Sequence, residues 1–144
     1  RQEALRNSAG KKIYREFAHA PSKLKATMQA FREKFKDAKI AVFVELHTYS
    51  SLNKDFLPEY KDSLILADKA IVYFDQKAIE LKNLDKINTQ DICLAFNNKN
   101  LIVINSNLDL EARLLTEFSS FDIILFLGSG NFGGLELNQI SKKF

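Results

Sequence analysis

The stretch Ile40-Ala41-Val42-Phe43-Val44-Glu45-Leu46 is almost continuously apolar. A strand with one wet face alternates apolar and polar residues, whereas a continuous run needs cover on both faces. A chain built around such a strand must place a layer on each side of it. Ala70-Ile71-Val72-Tyr73-Phe74, Leu101-Ile102-Val103-Ile104 and Asp122-Ile123-Ile124-Leu125-Phe126-Leu127 have the same character. Lys12-Ile13-Tyr14-Arg15-Glu16-Phe17 alternates instead, as a half-buried strand does.

Helical patterns separate these runs. Leu24, Met28, Phe31 and Phe35 follow Pro21-Ser22 at spacings of four, three and four, which marks one helix face. Pro21 suits the first turn, where a missing N–H costs nothing. Lys23, Lys25, Arg32, Lys34 and Lys36 fall mostly off that face and read as a solvated surface. Further helices are predicted over residues 56–67, 89–97, 107–118 and 134–142, with Thr89 as a candidate N-cap and Asp91 in the first turn behind it. Strand–helix alternation at this spacing predicts an α/β fold, a mostly parallel sheet in three layers with helices on both faces. The 144 residues suit one domain, residues 1–144, with one core system and no visible linker or repeat.

Composition removes several classes. Lys+Arg 21 against Asp+Glu 18 leaves a net charge of +3, too small and too dispersed for a nucleic-acid stripe. No apolar run approaches the roughly 20 residues of a membrane helix, so no membrane partner is expected. One cysteine, Cys93, allows no internal disulfide and fits a reducing, cytoplasmic compartment. Beside Leu94 and Phe96 it reads as a buried structural thiol. The opening Arg1-Gln2-Glu3 is neither a secretory signal nor a natural start, and suggests a domain of a longer protein. No Cys/His set has zinc spacing, and neither a Walker A sequence nor a nucleophile elbow is present.

In a mostly parallel sheet, ligands bind beyond the carboxyl ends of the strands. The loops at 17–22, 47–55, 75–77, 105–107 and 128–134 are therefore where function is sought. The first holds His19, between a strand end and a helix N-terminus; it is either a packed or capping residue or part of an anion site. Phe17 beside it can offer a flat apolar face to a base. The second, His47-Thr48-Tyr49-Ser50-Ser51-Leu52-Asn53-Lys54, reads equally as a polar binding loop or as solvated turn chemistry. The last, Gly128-Ser129-Gly130-Asn131-Phe132-Gly133-Gly134, matches G-x-G-x-x-G. A dinucleotide site is not expected there: that fingerprint belongs to a first strand and needs an acidic residue about 20 positions on, whereas this is the last strand.

Together these loops resemble a known family. Glu16-Phe17-Ala18-His19-Ala20-Pro21-Ser22 resembles the Asp-Tyr/Phe-Ala-His-x-Pro motif that opens the C-terminal domain of the Mur ligases, the ATP-dependent amide ligases of bacterial peptidoglycan synthesis and murein recycling. Val44-Glu45-Leu46-His47-Thr48-Tyr49-Ser50 is similar to a segment of the muramate–alanine ligases, and Leu127 to Gly134 to the glycine-rich last loop of the murein peptide ligases. The resemblance spans essentially the whole chain. It implies the Rossmann-like third domain of a three-domain enzyme whose N-terminal domain binds UDP-N-acetylmuramate and whose central domain supplies the P-loop and Mg2+ ligands. The implied reaction activates a carboxylate with ATP as an acyl phosphate, which an amino acid or murein peptide then attacks. This domain would close over the central one and be inactive alone.

By the same resemblance, Glu16 falls near the ATP ribose, Phe17 against adenine and His19 on the nucleotide side. His47, Tyr49 and Ser50 face the amine substrate, and Ser129, Asn131 and Phe132 belong to the loop that in relatives helps hold that substrate's carboxylate. No catalytic residue and no metal ligand is expected in this domain. Two departures bear on specificity. Arg15-Glu16 replaces paired acids, and Thr48, Ser51 and Asn53 stand where relatives carry arginines. A murein peptide is the first expectation for the amine and alanine the second. A nucleotide- or small-anion-binding module without chemistry is the alternative from another class.

Overall fold

The computed structural model describes residues 2–144. Its elements are β1 (Gln2–Ser8), β2 (Lys11–Glu16), α1 (Pro21–Lys34), β3 (Ile40–Leu46), β4 (Lys69–Phe74), α2 (Gln76–Leu81), α3 (Thr89–Phe96), β5 (Leu101–Ile104), α4 (Leu110–Phe118), β6 (Ile123–Leu127) and α5 (Leu137–Ile140), with short 3-10 helices at Leu57–Tyr60 and Phe132–Gly134. The six strands form one sheet in the order β1-β2-β6-β3-β4-β5. Only the β1–β2 pair is antiparallel. The expected α/β sheet with helices on both faces is present.

Every residue of β3 is buried, as its continuous apolar run requires. Its side chains divide between two cores by the period of a strand. Ile40, Val42, Val44 and Leu46 join Leu24, Met28 and Phe31 of α1, Tyr60, and Ile92 and Phe96 of α3. Ala41 and Phe43 join Leu110, Leu114 and Phe118 of α4, together with Phe132 and Ile140. At the other end of the strands Asp68 ties the layers together. Its carboxylate accepts from the Ile40 N–H at 2.8 Å and from the Arg32 guanidinium at 2.9 Å. Burial alone would raise its pKa, but these donors and the charges of Arg32 and Lys39 hold it below the ordinary value.

Several expectations need correction. The edge strand β1 was not foreseen; it pairs with β2 through a tight hairpin in which Gly10 takes φ +84°. The predicted helix over 56–67 shrinks to the 3-10 turn Leu57–Tyr60, with Asp62 at φ 62° interrupting any continuation. Its apolar spacing still reports real burial, because Leu57, Tyr60 and Leu64 all reach the core. The helix over 134–142 shrinks to Leu137–Ile140, since Gly133 and Gly134 adopt φ +66° and +86°. The helix α2 was not foreseen; the Asp75 side chain caps it by accepting the Lys77 N–H at 2.9 Å. Asn88, not Thr89, caps α3, in a reciprocal capping box with Asp91. Cys93 is half-buried rather than buried, and Leu94 is exposed. Among the described residues no helix is long and apolar enough to cross a membrane.

Met28 is 1% exposed, so Met28→Ala leaves a void the two layers cannot close. It is expected to cost about 2–5 kcal/mol, read as a lower denaturant midpoint at an unchanged slope.

Candidate functional site

The sheet order creates a crevice. The connections from β2 to β3, β3 to β4 and β4 to β5 all pack on the α1–α3 face. The return from β5 runs through α4 on the opposite face and inserts β6 between β2 and β3. The loop after β6 therefore leaves toward one face, while its two neighbours leave toward the other. Such switch points open a crevice at the carboxyl ends of the strands.

Glu16, Phe17 and His19 lie on the β2 side. Glu16 ends β2 opposite Leu127, and its carbonyl accepts the Gly128 N–H at 3.3 Å. Phe17 follows outside the strand and is 64% exposed, with the His19 imidazole edge-on at 5.7 Å between ring centroids. The His19 carbonyl accepts a 2.6 Å hydrogen bond from the Tyr60 hydroxyl, which anchors the loop to the core. α1 then begins with Pro21 and has neither a side-chain cap nor an acid in its first turn.

His47 and Asn131 lie on the β3 side, together in a cleft of about 390 Å³. Glu45, Tyr73, Asp75, Lys77, Lys82 and Asn107 also line it. None of these six was singled out from the sequence. The most informative is Glu45, 3% exposed on the face of β3 that looks toward the last loop. Its carboxylate accepts the Phe132 N–H at 3.0 Å and the Gly133 N–H at 3.3 Å. A buried carboxylate needs such donors.

The glycines of the G-x-G-x-x-G match serve this contact. A Cβ on Gly130 would lie 2.5 Å from Glu45 Oε1 and 2.9 Å from His47 Cγ. Gly133 combines φ +66° with a Cβ position 2.9 Å from Leu110. The last loop thus needs its glycines to lie against β3. Its N–H groups at 132 and 133 are taken up by the Glu45 carboxylate.

The remaining expected site residues divide. Tyr49 is 64% exposed, and the Lys82 ammonium lies 5.3 Å from its ring centroid. Ser50 is exposed. Thr48 and Ser51 instead bond to one another, Oγ1 to Oγ at 2.9 Å, and shape the turn. Ser129 is half-buried beside the cleft rather than in its lining. Phe132 is corrected to a core residue: at 1% exposure its ring packs 6.2 Å from those of Phe43 and Phe126. Its side chain holds the loop down and offers no face to a ligand.

No family profile matches the chain. Individual proteins do. A UDP-N-acetylmuramate–L-alanine ligase of Desulfitobacterium hafniense is 26% identical over 91% of this chain and 29% of its own length. One of Caldicellulosiruptor bescii is 31% identical over 83% of this chain and 26% of its own. The chain thus spans a little over a quarter of these relatives. Among solved structures, a domain from a Haemophilus ducreyi protein described as a UDP-N-acetylmuramate:L-alanyl-γ-D-glutamyl-meso-diaminopimelate ligase superposes with a TM-score of 0.66 at 22% identity, covering 98% of this chain and 94% of that one. In sequence the chain resembles UDP-N-acetylmuramate–L-alanine ligases over part of their length, and in fold it resembles a domain of a Mur-type ligase.

The pKa of the Tyr73 hydroxyl, which lines the cleft, is pushed up to about 12, first by burial and then by the Asp75 and Glu45 carboxylates. The folded chain keeps that proton where the unfolded chain, at 10.0, releases it. Stability contributed by Tyr73 is therefore complete below pH 10 and lost as pH rises toward 12. A plot of Tm against pH is expected to fall over that interval and to fall less steeply in Tyr73→Phe.

Proposed function

We propose that the chain is the C-terminal domain of a three-domain Mur-type ligase, which joins UDP-N-acetylmuramate to an amino acid or murein peptide through an acyl phosphate. The observation that carries this reading is the extent of the similarity. It covers most of this chain but only 26–29% of the ligases, one domain's worth. The UDP-sugar site and the ATPase machinery then belong to the two remaining domains.

On this reading the two sides of the crevice have different tasks. The exposed ring of Phe17 packs against adenine, the Glu16 carboxylate reaches the ribose, and His19 lies beside the nucleotide. These residues fit half of an ATP site: an apolar face at a strand end, next to a helix N-terminus with no acid to repel phosphate. They do not fit Mg2+. Among the described residues no group of three His, Cys, Asp or Glu side chains could hold a metal ion, so no step is assigned to a metal in this domain. His47, Tyr49, Ser50, Ser129 and Asn131 attend the amine. The domain's contribution is to position both substrates and to exclude water from a reactive acyl phosphate as the domains close. Without the central domain it has one wall of each pocket, and no turnover by the isolated chain is expected.

The test is product formation by the full-length parent, supplied with ATP, magnesium, UDP-N-acetylmuramate and competing amines, with products read by mass. An amide product with ADP release is the expected result; a folded parent that forms neither overturns the reading. In that enzyme Phe17→Ala is expected to raise the KM for ATP about tenfold, in line with about 1–3 kcal/mol for base–aromatic stacking, while leaving the KM for the amine unchanged. His47→Ala is expected to do the reverse, as steady-state kinetics with each substrate varied will show.

A further inference from the structure

Tyr60 ends the 3-10 turn that follows β3, 41 residues along the chain from His19. It is 1% exposed. Its ring stacks on Phe96 at 5.0 Å between centroids and 20° between planes, and stands edge-on to Phe56 at 5.9 Å. Phenylalanine would meet all of that packing. What tyrosine adds is a hydroxyl inside the core, and a buried hydroxyl needs a partner. This one donates to the His19 carbonyl at 2.6 Å. Burial pushes its pKa above the usual range, so the donor proton stays on.

Residues 17–19 have little else to fix them. They lie between the end of β2 and the start of α1, and α1 brings no side-chain cap. The Ala18 N–H donates to the Glu16 carbonyl at 2.9 Å, which only closes a local turn. Among the described residues, the Tyr60 bond is the one hydrogen bond from residues 17–19 to another segment. From His19 the hold passes to Phe17 by contact. The imidazole stands edge-on to the Phe17 ring, 5.7 Å between centroids at 87°. Phe17 is 64% exposed and has no other aromatic neighbour among the described residues. The pose of its ring thus depends on His19, and the backbone of His19 depends on the Tyr60 hydroxyl.

We propose that Tyr60 is a positioning residue for the nucleotide: its buried hydroxyl fixes His19 and thereby holds the Phe17 ring in the pose that stacks on a base. This rests on the ligase reading and deepens its nucleotide half-site. An exposed ring that is free to swing must be ordered when the ligand binds, and that cost is subtracted from affinity. The tether orders the ring beforehand. Its effect falls on ATP binding, and leaves the amine and the chemical step alone.

The experiment uses the full-length parent with ATP, magnesium, UDP-N-acetylmuramate and the amine it accepts. Tyr60→Phe, Phe17→Ala, the double variant and Met28→Ala are compared with the unaltered enzyme by steady-state kinetics. Tyr60→Phe keeps the ring in the core. It is expected to raise the KM for ATP about fivefold, the scale of one hydrogen bond, with kcat and the KM for the amine unchanged. In the Phe17→Ala background the same substitution is expected to add nothing, because the ring it positions is gone. Met28→Ala opens the same core within α1, and is expected to leave the KM for ATP as it was. Lost stability reduces the amount of folded enzyme and so kcat, whereas KM does not depend on that amount. The proposal is overturned if Tyr60→Phe leaves the KM for ATP unchanged while Phe17→Ala raises it. It is overturned equally if Tyr60→Phe acts as strongly in the Phe17→Ala background, or if Met28→Ala raises the KM for ATP as much. A parent that forms product and keeps its KM for ATP in Phe17→Ala removes Phe17 from the nucleotide site, and this assignment with it. A folded parent that forms no product brings down the ligase reading itself.

Discussion

The Glu45 carboxylate is the charge around which the carboxyl ends of the strands are arranged. It sits at the end of a strand buried on both faces, 3% exposed, where an ionised group survives only with donors at hand. Those donors come from residues 132 and 133, so the last loop must bend back over β3. Bending that closely excludes a side chain at 130 and requires a left-handed backbone at 133, and both positions are glycine. Phe132, between them, turns its ring into the core beside Phe43 and Phe126. The Arg15 guanidinium lies 5.2 Å from the centroid of that ring, so β2 also touches the anchor. One buried charge thus accounts for Gly130 and for the path of the last loop back over β3, which carries Phe132 into the core.

The last loop also divides the crevice into two sides, and on the proposed ligase reading that separation matters because such a domain works by closing. β6 lies between β2 and β3, and its loop departs toward the face opposite to theirs. Phe17 and His19 stand on one side of it; His47, Tyr73 and the lysines of α2 stand on the other. On that reading a second domain pressed across the strand ends meets both sides at once, and one closure completes two half-sites. A ligase with a water-sensitive intermediate needs the two substrates fixed and water excluded in the same motion. The side chains that bear on this are held firmly from behind: the His19 loop by Tyr60, the 48–51 turn by the Thr48–Ser51 pair, the last loop by Glu45.

The layer architecture was legible in the sequence because it depends on local apolar periodicity. The runs at 40–46, 70–74, 101–104 and 122–127 and the face formed by Leu24, Met28 and Phe31 all lie where that periodicity puts them. The short elements were not legible. β1 has few apolar residues and depends on its hairpin partner, and six-residue α2 is too brief to show a period. The segment 56–67 shows the opposite failure: its spacing reported burial correctly, but the backbone between the buried residues is a series of turns. Glu45 was in plain view within an apolar strand. Its meaning was not, because its partners lie 87 and 88 residues away, and no local pattern links the two. A lone acid inside a continuous apolar run is the signal that could have been followed, since its burial demands donors from elsewhere in the chain.

The fold fixes where a ligand lies but leaves open which ligand it is. The crevice follows from strand order, and any chain with that order has one. What distinguishes this chain is how it has filled the positions around the crevice. A glycine loop with free N–H groups attracts anions on its own. Supplying that loop with an internal carboxylate makes it a scaffold for its own fold over β3. The stretch 48–53 holds no arginine. The uncommitted positive charge in the cleft resides instead on α2, an element capped by Asp75 and only six residues long.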